Sequence, residues 1–182
     1  MRLPNCPARR AALCLAFSCT ATQAQVVAGR DRFGDTMHFG LPLAAAALSA
    51  YERDTEGLKQ LGKSLLLSEG STELLKHAVN SKRPDGTGRG FPSGHVSTTF
   101  AAATYVHRRY SLQWSMPFYA LAAATAAQRV RTRHHFTKDV IGGAVIGSAS
   151  SWFFTDRFAG RRSGASVGMA GGALVVSYSL QW

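Results

Sequence analysis

The sequence predicts an all-α fold, a bundle of about five core helices with a short C-terminal β-hairpin-like tail. Three observations lead there. Alanine and leucine dominate the apolar residues and β-branched runs are few, a composition that favours helices. Apolar residues recur at helical spacing through most of the chain, and only after Asp156 does the pattern become glycine-rich and alternating. At 182 residues the chain suffices for one domain with a real core and is too short for two ordinary ones. The expected organisation is a signal peptide over 1–24, one helical domain over 25–160 and a tail or hairpin over 161–182.

The N-terminal segment stands apart from the fold. Arg2, Arg9 and Arg10 form a basic start, 11–20 are mostly apolar, and Thr22-Gln23-Ala24 offers small residues where a signal peptidase reads. An uncleaved membrane anchor and a lipid-anchored start at Cys19 are alternatives. The apolar stretch is shorter than the ~20 residues a span needs, and Phe17-Ser18 is a poor lead-in to a lipidated cysteine. Cys6, Cys14 and Cys19 all lie within this segment, so the mature chain has neither disulfides nor thiolate metal ligands available.

The helices follow in order. Residues 37–51 form a first apolar block. From about Glu56 to Asn80, Leu58, Leu61, Leu65, Leu74, Leu75 and Val79 recur at helical spacing, with Gly57, Gly62 and Gly70 as soft points. Pro84 disfavours helical dihedrals at Arg83, so this helix should end just before it, and Asp85 to Gly90 reads as a flexible loop. Further helices are expected over about 94–108, 115–129 and 138–155. The longest charge-free runs, Ser111 to Gln128 and Val140 to Thr155, sit at or below the length of a transmembrane helix. Gly142-Gly143, Gly147 and Ala149 permit close helix packing in lipid or in a soluble core. The segment from Gly164 to Trp182 reads as a hairpin turning near Gly171-Gly172.

Charge narrows the partners. The chain carries 21 basic and 10 acidic residues, and loss of the three signal arginines leaves 18 against 10, a net of +8. That excess favours phosphorylated substrates or an anionic membrane surface. Nucleic acid is disfavoured, because no base-reading module or interleaved aromatic set is present.

Three segments carry candidate chemistry. Lys76 and Arg83 stand seven residues apart, two helical turns, and Arg129 adds a third cation; such groups suit the oxygens of a phosphoryl group. Pro92-Ser93-Gly94-His95 stands where a loop becomes a helix. Exposed amides there bind anions, the Ser93 hydroxyl can donate, and Gly94 allows close approach. His135 and Asp139 lie four apart and can share a helical face, so that the carboxylate holds one imidazole nitrogen and leaves the other as a nucleophile, with Thr137 as the helix cap. Each segment alone also has a structural reading: solvated cations, an N-cap serine, a packing hydrogen bond. His134 is adjacent to His135 but fits the spacing less well, and His38, His77 and His107 read as structural or exposed.

Together the three segments resemble the type 2 phosphatidic acid phosphatase and vanadium haloperoxidase superfamily. Its motifs run Lys, six residues, Arg-Pro; Pro-Ser-Gly-His; and Ser-Arg, five residues, His, three residues, Asp. Lys76 to Pro84, Pro92 to His95 and Arg129 to Asp139 match them in order and spacing, while Gln128 replaces the serine of the third. The resemblance covers roughly 37–157. It implies a helical bundle with the site at one end and a metal-independent phosphatase without cofactor. His135 would be the nucleophile, Asp139 would orient it, and His95 would serve as acid and then base. Lys76, Arg83, Ser93, Gly94 and Arg129 would hold the phosphoryl oxygens. The expected substrate is a phosphate monoester or diphosphate, of a lipid above all. The expected location is extracytoplasmic, at the inner membrane with a periplasm-facing site or in the periplasm. A soluble periplasmic acid phosphatase and a vanadate-dependent haloperoxidase are the alternatives at this point.

Overall fold

In a computed structural model of the chain, residues 32–158 are described throughout, and 164–170 and 173–179 as backbone strands. The expected signal segment lies outside the described residues. The described part contains five helices: α1 over 32–51, α2 Thr55–Val79, α3 Gly94–Arg109, α4 Leu112–Arg131 and α5 Thr137–Phe154. Strands β1 Gly164–Ala170 and β2 Ala173–Ser179 pair antiparallel from Gly164↔Ser179 to Ala170↔Ala173, the hairpin expected for the tail.

Local chemistry sets the helix ends. Asp54 caps α2 by accepting the Gly57 N–H at 2.8 Å. At the other end Asn80 turns left-handed with φ 47°, and its N–H closes on the Lys76 carbonyl, so α2 stops at Val79, short of Pro84. The following loop, read as flexible from its glycines, is tied down. Lys82 and Arg89 form an antiparallel bridge, the Gly90 N–H donates to the Ser81 carbonyl at 2.7 Å, and Asp85 accepts from both the N–H and the hydroxyl of Thr87. Helix α4 starts at Leu112, earlier than the expected Ser115, because Ser111 takes the cap position.

Helix α3 is the axis of the bundle. It packs against α5, α4 and α2, and is buried on nearly every side through Val96, Ala101, Ala102, Ala103, Tyr105 and Val106. Helix α1 lays Leu41 and Ala45 against Ala102, Tyr105, Val106 and Ala122. A central helix must accept neighbours all round, which explains its run of small residues. The tightest approach is to α5. A Cβ at Gly143 would lie 2.5 Å from the Ser93 carbonyl oxygen, and one at Gly147 would drive into the Ser97 carbonyl. Among the described residues, no helix is long and apolar enough to cross a membrane.

Away from the motifs, a polar cluster locks the corner between α1 and α2 to the end of α3. Arg109 holds Asp54 through two contacts, Nε–Oδ2 at 2.6 Å and Nη2–Oδ1 at 2.5 Å. The Tyr110 hydroxyl donates to Asp54, and Arg109 also reaches the Asp156 carbonyl just beyond α5. The cluster is fully paired, as buried charge requires.

These glycines make the fold testable. Gly143→Ala and Gly147→Ala should each cost about 1–3 kcal/mol, because the obstructing atoms are backbone and cannot swing away. Gly62→Ala meets nothing within 4 Å in mid-helix, and should gain about 0.5–1 kcal/mol. Thermal unfolding of the three variants measures the difference; equal Tm values would show that α3 and α5 are not packed through these positions.

Candidate active site

The three motif segments converge because α3 and α5 touch at their N-terminal ends. The Ser93 N–H donates to the Asp139 carbonyl at 3.0 Å, which fixes the start of α3 to the first turn of α5. Ser93 is wholly buried, and its hydroxyl has no hydrogen-bond partner among the described residues. Gly94 faces Lys76: a Cβ there would lie 3.5 Å from the Lys76 ammonium and 3.8 Å from Thr72. Lys76 pairs with Glu73 at 2.6 Å, and that neighbour is more than half exposed. A partnerless buried hydroxyl, a helix N-terminus and an ammonium therefore come together at the start of α3, the combination that suits an anion.

His135 and Asp139 meet, but not on one helical face. The chain leaves α4 through a tight turn in which the Arg129 carbonyl accepts from both the His134 and the His135 N–H, and Arg133 takes φ 58°. His135 therefore precedes α5. Phe136, not Thr137, occupies the cap position, and Asp139 reaches back to accept the Phe136 N–H at 2.9 Å. The His135 Nδ1 lies 3.6 Å from the Asp139 Oδ2, an ion-pair distance rather than a hydrogen bond. Both side chains are buried, and Asp139 has no exposed surface. Gly90 closes the space beside the carboxylate, where a Cβ would come to 3.0 Å from Oδ2. His134 points elsewhere, with Nδ1 3.7 Å from Asp85.

His95 stands on the other side, gripped from α1. Its Nε2 lies 2.8 Å from the Asp35 Oδ1, and the same oxygen accepts from the Arg129 Nη2 at 3.1 Å. The His38 ring sits 4.7 Å from the His95 ring. Sequence reading missed Asp35 and placed His38 among structural or exposed histidines; the structure sets both at the site. A Cβ on Gly34 would lie 2.7 Å from the Gln128 Oε1 and 3.3 Å from the Arg129 guanidinium. Gln128, the departure from the motif, is thus buried under α1 with neither amide atom hydrogen-bonded among the described residues. Arg83 lies outside any helix, with Nε donating to the Arg89 carbonyl at 3.3 Å, and its charge bears on His135.

Electrostatics favour the neutral form of both histidines. Burial pushes His95 down to about 4, helped by the Arg129 charge and opposed by the Asp35 hydrogen bond. Burial and the Arg83 and Arg129 charges also hold His135 below the ordinary imidazole range, against the pull of Asp139. Asp35 is held below the ordinary carboxylate range: burial opposes ionisation there, and the His95 hydrogen bond and Arg129 charge outweigh it. Cations and neutral imidazoles together suit a dianion entering from water. Among the described residues no group of three His, Cys, Asp or Glu side chains forms a metal-ligand set.

The chain is similar to several known proteins. The model of the PAP2 superfamily matches residues 85–163. A lipid A 4'-phosphatase of Helicobacter pylori is 31% identical over 144 residues, covering 72% of each chain. A lipid A 1-phosphatase of Porphyromonas gingivalis is 34% identical over 87 residues, 46% of this chain and 20% of that protein. Among solved structures, Aquifex aeolicus LpxE superposes with a TM-score of 0.62 at 21% identity, over 71% of this chain and 84% of its own. The first transmembrane PAP2-type phosphatidylglycerolphosphate phosphatase from Bacillus subtilis superposes with a TM-score of 0.56, also at 21% identity, over 71% and 73%. The helical architecture agrees with both structures, the sequence relation extends across most of the H. pylori enzyme, and the chain belongs to the PAP2 superfamily, on its phosphatase branch.

Proposed function

We propose that the protein is a metal-independent lipid phosphatase that works through a phosphohistidine on His135. The observation that carries this reading is the Ser93 N–H to Asp139 carbonyl bond, which puts Ser93, Gly94 and Lys76 beside His135. Lys76, Arg83, Arg129, Ser93 and the Gly94 amide hold the phosphoryl oxygens and supply the positive charge that the transition state needs. The neutral His135 attacks phosphorus, a P–N bond forms, and the bond to the lipid oxygen breaks. Asp139 holds the imidazole through Nδ1 and offsets the charge it gains. His95 gives a proton to the leaving oxygen. It then takes one from a water that attacks the phosphohistidine, breaks the P–N bond and releases phosphate.

The lipid half of the reading draws on the lipid A phosphatase relatives and on the surface. Phe39 and Leu43 on α1, Trp114 and Met116 on α4, and Ile141 and Phe153 on α5 are all exposed. With the +8 mature charge, they suit an extracytoplasmic enzyme held at an anionic membrane, with the site open to the periplasm. A panel of lipid A, phosphatidic acid, phosphatidylglycerol phosphate, undecaprenyl diphosphate and p-nitrophenyl phosphate, assayed with a chelator present, tests this reading. Chelator-resistant release with the highest kcat/KM on a lipid is expected. Loss of activity in chelator, or preference for the small aryl ester over every lipid, would overturn the corresponding half.

His135→Ala should lose more than about 10³-fold in kcat, as nucleophile removal does elsewhere. His134→Ala should retain most of it, because its ring faces Asp85. Acid-labile, alkali-stable radiolabel on His135 after quenching would report the intermediate directly. Equal losses in the two variants would displace His135 from this role.

The pH profile follows from the depressed histidines. Attack needs His135 neutral, which its lowered value secures well into the acid range. Transfer also needs one proton shared between His95 and the phosphoryl group. Burial brings His95 down to about 4, and a phosphate monoester loses its second proton at about pH 6. Beyond that the proton is gone, so kcat/KM should peak in mildly acid solution and fall as pH rises. A profile still climbing above about pH 8 would contradict this protonation scheme.

A further inference from the structure

We infer that Asp35 is a positioning residue for His95, so that the site contains two carboxylate–histidine pairs, one for each catalytic ring. The inference rests on the proposed phosphatase reading. Its geometry is independent of the three motifs: Asp35 lies 60 residues before His95 and reaches it only because α1 packs across α3 and α4.

The contact has a chemical consequence. An ionised Asp35 accepts at Nε2, so the neutral His95 carries its proton on Nε2 and leaves Nδ1 unprotonated. Nδ1 has no hydrogen-bond partner among the described residues. Protonation of the ring therefore adds the proton at Nδ1, and that is the proton passed to the leaving oxygen. Asp35 keeps the Nε2 proton in place and offsets the imidazolium charge. Asp139 faces His135 from the Nδ1 side at 3.6 Å, so the two rings meet their carboxylates at opposite nitrogens.

Charges around His95 show why a partner is needed. Arg129 of α4 disfavours its protonated form, as do burial and the neighbouring His38 of α1. From α2, Glu69 and Lys76 bear on His38 with opposite signs. From α5, Asp139 touches the Ser93 backbone at the start of α3. Asp35 is the carboxylate in direct contact with the ring, and Arg129 shares its Oδ1. Gly34 lets α1 come this close, since a side chain there would strike Gln128.

Asp35→Asn, nearly isosteric on an exposed helical position, tests the pairing, with Asp35→Glu as the conservative variant. Two readouts are used. In the first, the His95 ring is titrated by NMR in the intact protein without substrate. Its pKa should fall by about one unit in Asp35→Asn and recover in Asp35→Glu. In the second, kcat is measured against pH on a short-chain phosphatidic acid and on p-nitrophenyl phosphate. Asp35→Asn should lose about 10–10²-fold on the alkyl ester and much less on the aryl ester, with the alkaline limb, set by the phosphoryl proton, in place. An unmoved His95 titration overturns the inference, as does an equal loss on both esters, the mark of a merely structural contact. Failure of the phosphatase reading would show separately, as absence of phosphate release by the unaltered protein, while the NMR titration still judges the pairing.

Discussion

The close approach of α3 to α5 is the constraint on which the rest depends. Two glycines four residues apart, Gly143 and Gly147, let the α5 backbone meet the Ser93 and Ser97 carbonyls. Once the helices are that close, the Ser93 N–H reaches the Asp139 carbonyl, and the start of the α3 helix and the first turn of α5 become one unit. The start of α3 and the His135–Asp139 pair are then positioned by backbone rather than by flexible side chains. That is the preorganisation electrostatic catalysis needs, since donors already in place cost no rearrangement as charge develops. A further polar contact continues the seam, Ser151 with the Ala101 carbonyl at 2.7 Å, while Ser97 also ties α3 to Thr72 of α2 at 2.9 Å.

The Asp54–Arg109 cluster governs how α1 arrives at that seam. Replacing a buried ion pair by apolar groups is often neutral, so the pair is weak evidence for stability; removing one partner is costly because the other is left charged and buried. Its value here is geometric. The pair joins the corner between α1 and α2 to the end of α3, and Ser49 of α1 adds a hydrogen bond to the Tyr105 hydroxyl at 2.7 Å. With one end of α1 held at Ser49 and its middle packed through Leu41 and Ala45, the opposite end falls over His95 and Arg129.

Much of this was legible in the sequence, and the boundary of legibility has a physical basis. Helix positions could be read because apolar spacing is local, and the motif segments because each carries its chemistry within nine residues or fewer, or eleven for the third. Lys76 near Gly94, and Ser93 near Asp139, follow once those segments share one end of the bundle. Caps were less legible. Thr137 has the better capping side chain, yet Phe136 takes the position because Asp139 supplies the acceptor from inside the helix. Asn80 closes α2 about where its apolar spacing ends, by a left-handed conformation that the sequence permits but does not require. Asp35 and His38 were not legible at all. Nothing local distinguishes them from other residues of an amphipathic helix, and their meaning comes from distant contacts, Asp35 with His95 and Arg129 across 60 and 94 residues, and His38 with the His95 ring.

Gln128 shows how a departure from a motif can be absorbed. A glutamine is longer than the serine that the superfamily pattern has there, and in this bundle it fills space that α1 would otherwise occupy. Gly34 removes the conflict by presenting no side chain, at the point where a Cβ would stand 2.7 Å from the Gln128 oxygen. The two positions are therefore coupled, although 94 residues separate them. The same glycine brings the next residue, Asp35, within reach of Arg129 and His95. A larger residue at 34 would have to displace the ends of the Gln128 and Arg129 side chains. Because Arg129 shares the Asp35 carboxylate with His95, accommodation of Gln128 and the setting of that carboxylate meet at the same point beneath α1.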